Sequence, residues 1–341
     1  MKAMVLREFN EPLLEEQRQL PLIGENDLLI RVLACGVCYT DVKISTGLVK
    51  LVTPPLIMGH EVAGEVVDLG RGVHNFSEGD RVCVYFYLNC GVCENCLGKR
   101  ENLCLNLSGR IGFQYDGGYA EYIRVPATHA YSAPAGIPIE EAAILVDAVA
   151  APLHGLKARA NLQPGETVAV VGIGGLGIHA IQIAKILGGR VLAIDLDEQR
   201  LQAAREFGAE ALNGSQKDLA KIIVSMTEGK GVDVVLDLVG RNDTLHSSLS
   251  FLKLGGRYVI VGYNFEAPFS FYPHLIMTNE FTVIGSRASS PGDLIEVIRL
   301  VEQKKLKTVV SERFPLSQAN LALERLKKNQ IFGRAVLVPL R

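Results

Sequence analysis

Hydrophobic and polar positions follow two different patterns along the chain, and the pattern changes near residue 147. Up to about residue 125, short apolar runs are separated by Gly, Pro and Asn, which favours strands joined by loops; the predicted strands are 28–33, 62–67 and 81–87. Farther on, continuous apolar runs alternate with helical patterns, as is typical of strands buried in a parallel sheet. The sequence therefore predicts an α/β protein with a β-rich, barrel-like domain followed by a doubly wound parallel sheet.

The part after residue 147 is divided into elements that fit repeated βαβ units. Its predicted strands are 168–171, 191–194, 232–238, 257–262 and 281–285, and its predicted helices are 178–187, 201–207, 219–227 and 242–252. Two amphipathic helices, 294–302 and 317–328, then lead to a last strand at 334–338. We expect this tail to return to the first domain, because the open sheet is complete without it.

Length and composition restrict the functions that are compatible with this pattern. A chain of 341 residues predicts about two domains. The formal net charge of −2 and the absence of a long Lys/Arg run give no basis for nucleic-acid binding. No apolar run reaches the roughly eighteen residues of a membrane span, and charged residues come too early for a signal peptide. A cytoplasmic protein without a membrane partner is the expectation.

The cysteines are clustered, and one cluster has the spacing of a metal site. Cys90, Cys93, Cys96 and Cys104 lie close enough in sequence to bind one ion. Four thiolates leave no open coordination position, so we predict a structural zinc ion that orders a loop of low hydrophobicity. Disulfides, an iron–sulfur cluster and unliganded thiols are the alternatives, and a reducing compartment argues against disulfides.

A second candidate metal site combines His60 with Cys38. His60 and Glu61 follow a proline-rich turn and a short apolar run, while Cys38 stands in a glycine-containing turn. A thiolate and an imidazole are both donors that zinc accepts. The alternatives are that the His-Glu pair belongs to a surface turn and that a cysteine here is a small buried side chain, as we expect for Cys35.

The segment 172–177, GIGGLG, has the sequence of a dinucleotide-binding turn, since it follows a predicted strand and opens a predicted helix. Its glycines let backbone N–H groups approach a pyrophosphate at the helix N-terminus. Asp195 ends the next strand, where its carboxylate would bind the ribose hydroxyls and repel a 2′-phosphate. This favours NAD over NADP, although Arg200 complicates the preference. The residues expected to contact the cofactor, including two at later strand ends, are Gly172, Gly174, Gly175, Leu176, Gly177, Asp195, Arg200, Val239 and Gly262.

Several motifs occur in the order found in one protein family: Cys38-Tyr-Thr40-Asp41, Gly59-His60-Glu61-x-x-Gly64 with Gly70 and Val73, the four-cysteine lobe, Gly172-x-Gly174-x-x-Gly177, and Gly333-Arg334. Over essentially its whole length the chain resembles the medium-chain, zinc-dependent alcohol dehydrogenases. The resemblance implies a GroES-like catalytic domain at 1–146 and 287–341, with the zinc lobe at about 88–106, and a Rossmann NAD-binding domain at 147–286. It also implies an oxidoreductase with two zinc ions per chain, one catalytic and one structural, acting on a small alcohol or carbonyl compound.

The resemblance further implies which side chains hold the catalytic zinc. The third ligand is commonly a cysteine just before the cofactor domain, and Asp147 stands at that position here. The implied ligands are Cys38, His60 and Asp147, with Glu61 as a fourth, exchangeable ligand or as a nearby carboxylate. A carboxylate oxygen binds zinc acceptably, although it is a harder donor than a thiolate. Asp147 as a helix N-cap is the alternative.

The same resemblance implies roles at the reacting centre. Thr40 would accept the proton of the alcohol, and Asp41 would orient His60. In many relatives a histidine three residues after the Thr40 position ends the proton relay; Lys43 stands there, so either Lys43 or water takes that part. Arg334 would neutralise the pyrophosphate of the cofactor.

The substrate is predicted only by class. The expected pocket walls, Tyr39, Leu48, Leu51 and Phe86, favour uncharged molecules. The alternatives within the family are polyol, amino-alcohol and cyclic hydroxyacyl-CoA dehydrogenases, whereas quinone reductases lack these metal ligands. A non-catalytic zinc and NAD sensor is disfavoured, because a sensor needs no proton acceptor. The chain has the length of the compact family members, so we expect a homo-oligomer, a tetramer rather than a dimer.

Overall fold

The computed structural model describes residues 1–265 and 268–339, which form two compact units. Unit 1 contains Met1–Ala148, Ser289–Lys304 and the chain from Thr308 onward, and unit 2 contains Val149–Ala288 and Lys305–Lys307. The expected domain boundaries differ from this division by two residues at each main junction and by the segment Lys305–Lys307. Within the described residues, no helix has the length and hydropathy needed to cross a membrane.

The strands are given in chain order. They are β1 (Lys2–Leu6), β2 (Leu14–Gln17), β3 (Asp27–Val37), β4 (Leu56–Ile57), β5 (Glu61–Leu69), β6 (Arg81–Val84), β7 (Tyr122–Pro126), β8 (Ala130–Ser132), β9 (Thr167–Val171), β10 (Arg190–Asp195), β11 (Glu210–Asn213), β12 (Val232–Asp237), β13 (Leu252–Ile260), β14 (Thr282–Gly285), β15 (Val310–Pro315) and β16 (Arg334–Val338).

The helices follow the same order, and most of the longer ones belong to unit 2. They are α1 (Tyr39–Ser45), α2 (Glu94–Leu97), α3 (Ile139–Ala143), α4 (Ala150–Leu153), α5 (Gly177–Ile186), α6 (Glu198–Glu206), α7 (Leu219–Met226), α8 (Asn242–Leu249), α9 (Pro273–Asn279), α10 (Pro291–Glu302) and α11 (Ala319–Lys327). A π-helical turn, His154–Arg159, directly follows α4, and a 3₁₀ turn, Ile144–Val146, precedes it.

Unit 1 is organised around the long strand β3. Its main sheet has the order β15-β16-β3-β5-β6-β8, with β7 also paired to β3, and a second sheet has the order β2-β1-β4. At the C-terminal end of β3, Gly36 stands opposite Glu61 on one side, and Val37 stands opposite Ala335 on the other. This register brings together the ends of three strands that are distant in sequence, and it places the tail in this unit as expected.

Unit 2 contains a six-stranded sheet in the order β11-β10-β9-β12-β13-β14, and every pairing in it is parallel. Counted from β9, this is the order 3-2-1-4-5-6 of doubly wound dinucleotide-binding folds. Strand β9 is completely buried, because its side chains project from both faces of the sheet and helices cover both faces. The predicted α/β class, with a β-rich first domain and a doubly wound sheet in the second, is confirmed.

Candidate metal centres and cofactor-binding site

The end of strand β3 positions Cys38. The strand ends at Val37, and Cys38 is the N-cap residue of α1, with extended backbone angles of φ −105° and ψ 151°. The Asp41 carboxylate accepts a hydrogen bond from the Cys38 N–H at 2.8 Å, and the Cys38 Sγ accepts one from the Thr40 N–H at 3.5 Å. These capping interactions fix the direction in which the thiol points.

Gly59 sets the backbone conformation just before His60. It has a φ of +95°, and a Cβ at this position would lie 2.4 Å from the Tyr119 ring, so only glycine fits. His60 is buried, with Nδ1 at 3.3 Å from Asp41 Oδ1 and Nε2 at 3.7 Å from Asp147 Oδ2. The imidazole therefore turns one nitrogen toward Asp41 and the other toward Asp147.

Asp147 completes a cluster of four potential ligands. Its Oδ2 lies 3.9 Å from Cys38 Sγ, and one ligand atom from each of Cys38, His60, Glu61 and Asp147 lies within 4.8 Å of the others. The N-cap residue of α4 is Val149, and no side chain caps that helix. The alternative interpretation of Asp147 as a helix N-cap is therefore wrong.

The donor set fits a zinc ion. Ligands roughly 2.0–2.3 Å from a tetrahedral zinc lie about 3.3–3.8 Å from one another, close to the separations between Asp147 and its two neighbours. His60 Nδ1 and Asp41 Oδ1 are buried, and neither makes a hydrogen bond of ordinary geometry to any described residue. A cation at Nε2 would fix the tautomer with a proton on Nδ1, which then faces the Asp41 carboxylate.

The charges around the cluster also favour a cation. Burial alone would raise the pKa of Asp147, but its hydrogen bond to His60 and the charges of His60 and Arg334 lower it. Burial alone would lower the pKa of His60, but Asp41 and Asp147 raise it. The lowered pKa favours the ionised form of Asp147 beside His60, and a carboxylate in that form is a ligand for a divalent cation.

Glu61 is paired with Arg334 inside unit 1. A Cβ on Gly36 would lie 1.9 Å from Glu61 Oε2, so the glycine makes room for this carboxylate. Arg334 Nε donates to Oε2 at 2.9 Å, Nη2 donates to Oε1, and Nη2 also lies 3.6 Å from Asp147 Oδ2. The contact that the structure shows differs from the expected one with a pyrophosphate, and a role of Arg334 at the cofactor stays a prediction.

Helix α1 carries Thr40 and Lys43 on the segment that presents Cys38. Burial lowers the pKa of Lys43 to about 8, although the charge of Cys38 opposes the shift. The Lys43 Nζ lies 5.6 Å from the centroid of the Tyr39 ring. The roles of Thr40 as proton acceptor and of Lys43 as the end of the relay stay predictions.

Aromatic rings line one side of His60. The centroids of Phe86 and Phe113 lie 5.0 Å and 5.4 Å from the centroid of the imidazole. Phe86 was predicted as a pocket wall, whereas Phe113, in a loop without apolar periodicity, was missed. The other predicted walls, Tyr39, Leu48 and Leu51, are exposed. One side of His60 is thus apolar, which suits an uncharged substrate.

Four cysteines converge in the lobe that contains α2. The Sγ–Sγ distances are 3.5 Å for Cys93–Cys96 and 3.9 Å for both Cys90–Cys96 and Cys93–Cys104, whereas thiolates around a tetrahedral zinc lie about 3.8 Å apart. Hydrogen bonds from the backbone of Cys96 and Leu105 lower the pKa of Cys93 to about 6. The cysteines of the described residues are all free, which disfavours the disulfide alternative. The geometry fits a structural zinc ion.

His129, which the sequence did not indicate, anchors this lobe to the sheet. Its Nε2 accepts a hydrogen bond at 3.1 Å from the N–H of Asn89, the residue before Cys90. Its ring stacks on Tyr85 with centroids 6.4 Å apart. Burial lowers the pKa of His129 to about 4, so the imidazole is neutral and can accept this hydrogen bond. The contact spans forty residues of sequence and leaves no local signal.

The glycine turn connects β9 to α5 in unit 2. A Cβ on Gly172 would lie 2.7 Å from Val239, and a Cβ on Gly177 would lie 2.1 Å from the Gly172 carbonyl oxygen. A Cβ on Gly174 would meet no atom of the described residues within 4 Å. Packing thus explains the first and third glycines, whereas the second borders open space where a pyrophosphate can approach the backbone.

Two side chains hold this turn in place. Asp195 Oδ2 accepts a hydrogen bond from the Ile173 N–H at 2.6 Å and lies 3.8 Å from Arg200 Nη1. His179, which was not predicted, is fully buried and donates from Nδ1 to the Gly175 carbonyl at 2.7 Å. These hydrogen bonds of Asp195 and His179 therefore connect β10 and α5 to the glycine turn that follows β9.

The residues that follow β12 and β13 pack against each other, and Val239 lies next to Gly172 of the glycine turn. Asp237 is buried, and its Oδ1 accepts hydrogen bonds from the N–H groups of Val239 at 2.8 Å and Gly240 at 3.0 Å. A Cβ on Gly262 would lie 2.3 Å from the carbonyl carbon of Leu238. Val239 and Gly262 therefore lie at the sheet edge where the sequence predicted them, and cofactor contact by either stays a prediction.

Known proteins are similar to this chain over nearly its whole length. A family model described as alcohol dehydrogenase GroES-like domain matches residues 24–135, and one described as zinc-binding dehydrogenase matches residues 175–303. An NAD-dependent alcohol dehydrogenase of Sulfurisphaera tokodaii is 35% identical over 353 residues, which cover 99% of this chain and 100% of that protein. A sorbitol dehydrogenase of Bacillus subtilis is 33% identical over 334 residues, which cover 95% of this chain and 93% of that protein.

A solved structure extends the similarity to three dimensions. The alcohol dehydrogenase of Aeropyrum pernix superimposes with a TM-score of 0.92 at 32% identity, and the match covers 99% of this chain and 100% of that one. The match includes both units, so the residues of each candidate site lie within the similar region.

Proposed function

The chain belongs to the medium-chain, zinc-dependent alcohol dehydrogenase family, and from that premise we propose that it catalyses reversible, NAD-linked hydride transfer between an alcohol and its aldehyde or ketone. The cluster of Cys38, His60 and Asp147 carries the proposal, because three protein ligands leave one position of a tetrahedral zinc for substrate. When bound, zinc supplies a Lewis acid at the alcohol oxygen and NAD accepts the hydride.

The chain's own residues bind the substrate and move the proton. The hydroxyl of Thr40, two residues after Cys38, accepts the proton that leaves the alcohol oxygen. The Thr40 hydroxyl gives up its own proton in exchange to the neutral amine of Lys43, whose pKa burial lowers to about 8, and Lys43 then releases a proton to solvent. The rings of Phe86 and Phe113 beside His60 exclude water from the reacting carbon and select uncharged substrates.

The proposed cofactor site selects NAD over NADP. The backbone at Gly174 receives the pyrophosphate, and the Asp195 carboxylate accepts hydrogen bonds from the adenosine ribose. A 2′-phosphate would meet the negative charge of Asp195, while Arg200, at 3.8 Å from it, weakens this discrimination.

The test combines metal analysis with a substrate panel. We expect two zinc ions per chain in the wild type and loss of one, together with turnover, in Cys38→Ala, His60→Ala and Asp147→Ala. Asp68→Ala, a change at an exposed carboxylate, is the matched control and should keep both ions and full turnover. Full zinc content and turnover in Asp147→Ala would show that the ligand assignment is wrong.

A polyol is the second candidate substrate, and the similarity to a sorbitol dehydrogenase supports it. The panel therefore includes simple primary and secondary alcohols, sorbitol, amino alcohols and a cyclic hydroxyacyl-CoA, each with NAD and with NADP. The highest kcat/KM identifies the class, and a simple alcohol is expected to give it. A protein that binds zinc and NAD but oxidises no member of the panel would support the sensor alternative.

We further propose that the protein works in the cytoplasm as a homo-oligomer, a tetramer rather than a dimer. Cysteines that are clustered as in metal sites rather than joined in disulfides support a reducing compartment. Light scattering coupled to size-exclusion chromatography should give four times the chain mass, and the mass of a single chain would contradict this proposal.

A further inference from the structure

We propose that Tyr119 is a positioning residue of the metal site: its hydroxyl holds the Asp41 carboxylate in the orientation that His60 requires as a ligand. The inference rests on the proposed function, because it concerns how firmly that site retains zinc. Tyr119 lies three residues before strand β7, and no sequence motif indicated a role for it.

The contacts of Asp41 divide its two oxygens between different partners. Oδ2 accepts hydrogen bonds from the Tyr119 hydroxyl at 3.0 Å and from the Cys38 N–H at 2.8 Å. Oδ1 faces His60 Nδ1 at 3.3 Å and takes no hydrogen bond of ordinary geometry from any described residue. Because two donors hold Oδ2, the carboxylate cannot rotate freely, and Oδ1 remains directed toward the imidazole.

These groups are buried deeply enough that water does not replace a lost contact. Tyr119 and Asp41 are 0% exposed, and His60 is 1% exposed. A buried carboxylate that loses one of its hydrogen-bond donors keeps its full desolvation cost, so it moves toward whatever donor remains. For Asp41, the remaining fixed donor would be the N–H of Cys38.

The backbone around Tyr119 fixes its hydroxyl relative to His60. The Tyr119 N–H donates to the Met58 carbonyl at 2.9 Å, and the Gly118 N–H donates to the Gly59 carbonyl at 2.8 Å. The Tyr119 ring fills the space that a side chain on Gly59 would need, with 2.4 Å to a Cβ placed there. The backbone that carries the phenol is therefore hydrogen-bonded directly to the segment that leads into His60, and Gly59 accommodates the ring.

The chemistry of histidine ligands explains why this matters. A histidine that binds a metal through one nitrogen holds its orientation and its tautomer through the partner of the other nitrogen. Here that partner is Asp41, and Asp41 is in turn held by Tyr119. Removing only the phenol oxygen should leave every ligand present but weaken the hold of His60 on the ion.

The test is Tyr119→Phe in the zinc-loaded protein. We measure zinc release to a coloured chelator and, after cobalt replaces zinc, the visible absorption spectrum of the cobalt protein. We expect one of the two zinc ions to leave about tenfold faster, at the lower end of the effect of losing a ligand's hydrogen-bond partner. The cobalt spectrum should shift, and release from the four-cysteine lobe should not change.

Tyr85→Phe is the matched control. The Tyr85 hydroxyl is also fully buried in unit 1, but it donates to the Ser289 carbonyl at 2.8 Å rather than to Asp41. Normal zinc release in Tyr85→Phe together with fast release in Tyr119→Phe supports the proposal. Equal release rates in Tyr119→Phe and the wild type, or equally fast release in both variants, would overturn it.

The same measurement separates this inference from the proposed function. If the wild type held only the metal of the four-cysteine lobe, both ideas would be overturned. If the wild type held two zinc ions and Tyr119→Phe behaved like it in release and in spectrum, the inference alone would be overturned.

Discussion

At the scale of single residues, the ion pair between Arg334 and Glu61 is unusual because both side chains are almost completely buried. Two guanidinium nitrogens donate to the two carboxylate oxygens, and the charges of Cys38, Glu61 and Asp147 raise the pKa of Arg334 although burial opposes the shift. Such a pair contributes little when compared with an apolar pair of the same size, but breaking it leaves an uncompensated charge in the interior.

We therefore predict that Arg334→Met lowers the free energy of unfolding by about 3–5 kcal/mol, measured by urea denaturation with zinc present. Lys328→Met, which removes a cation from an exposed helical pair with Glu324, is the control and should have a small effect. Adding Glu61→Gln to Arg334→Met should restore part of the loss. Equal effects of the two single variants would mean that burial of the Arg334–Glu61 pair has no energetic consequence.

The Asp195 carboxylate is the residue on which cofactor choice should depend. We predict that Asp195→Ser lowers the preference for NAD over NADP, as the ratio of the two kcat/KM values, by about tenfold or more, because the repulsion of a 2′-phosphate disappears. Asp197→Ser is the control: Asp197 caps α6 through the N–H groups of Gln199 and Arg200, and serine can also cap a helix. An unchanged ratio in Asp195→Ser would assign the preference to another residue.

At the scale of elements, the fold class followed from periodicity, whereas strand β1 was not predicted and β13 begins five residues before its predicted start. Strands β9 and β10 are apolar and buried, and both were predicted within two residues of their bounds. Strand β11, Glu210–Asn213, was missed because it is a short edge strand with polar residues at both ends. The Ala-rich pattern of residues 148–160 is helical, but the π form of the turn His154–Arg159 has no local signature and was not predicted.

The candidate sites divide in a similar way. The four-cysteine lobe and the glycine turn were identified because their residues are close in sequence and their spacing is set by the ligand. The assignment of Asp147 depended on resemblance to a family. Tyr119, Phe113 and His129 were missed because each acts through a contact with a residue far away in the chain, which only the folded register of the sheets brings near.

The zinc lobe should respond to acid through His129. Its pKa of about 4 in the folded protein is lower than the roughly 6.5 of an unfolded chain, so between these values only the unfolded state binds the proton. Its contribution to stability is complete above about pH 6.5 and is lost as the pH falls toward 4, by about 3 kcal/mol in total.

We therefore predict that the destabilisation caused by His129→Gln is largest near about pH 7 and shrinks by roughly 2–3 kcal/mol at about pH 4.5. Urea unfolding at a series of pH values measures it. His74→Gln, at an exposed histidine, should show no such trend. A pH-independent difference between His129→Gln and the wild type would contradict the assignment of a neutral, buried imidazole.

At the scale of the whole molecule, the chemistry is divided between the units. Both candidate metal centres consist of residues of unit 1, whereas the glycine turn and Asp195 belong to unit 2. Unit 2 has its own apolar core, in which side chains of β9, β10 and β12 pack with those of α7 and α8. Loss of metal should therefore destabilise unit 1 first, because the apolar core of unit 2 contains no metal ligand.

This division predicts that the protein stripped of both metals by a chelator still binds NAD. NAD at one hundred times its dissociation constant raises the free energy of unfolding of a protein that binds it by about 2.7 kcal/mol. Titration calorimetry should therefore detect NAD binding with and without zinc, with a dissociation constant that changes less than about tenfold. Gly174→Ala is the control, since a Cβ there meets no described atom within 4 Å, so the change should leave the fold intact while it hinders the approach of the pyrophosphate. Loss of NAD binding on metal removal alone would show that the cofactor site depends on the metal centres of unit 1.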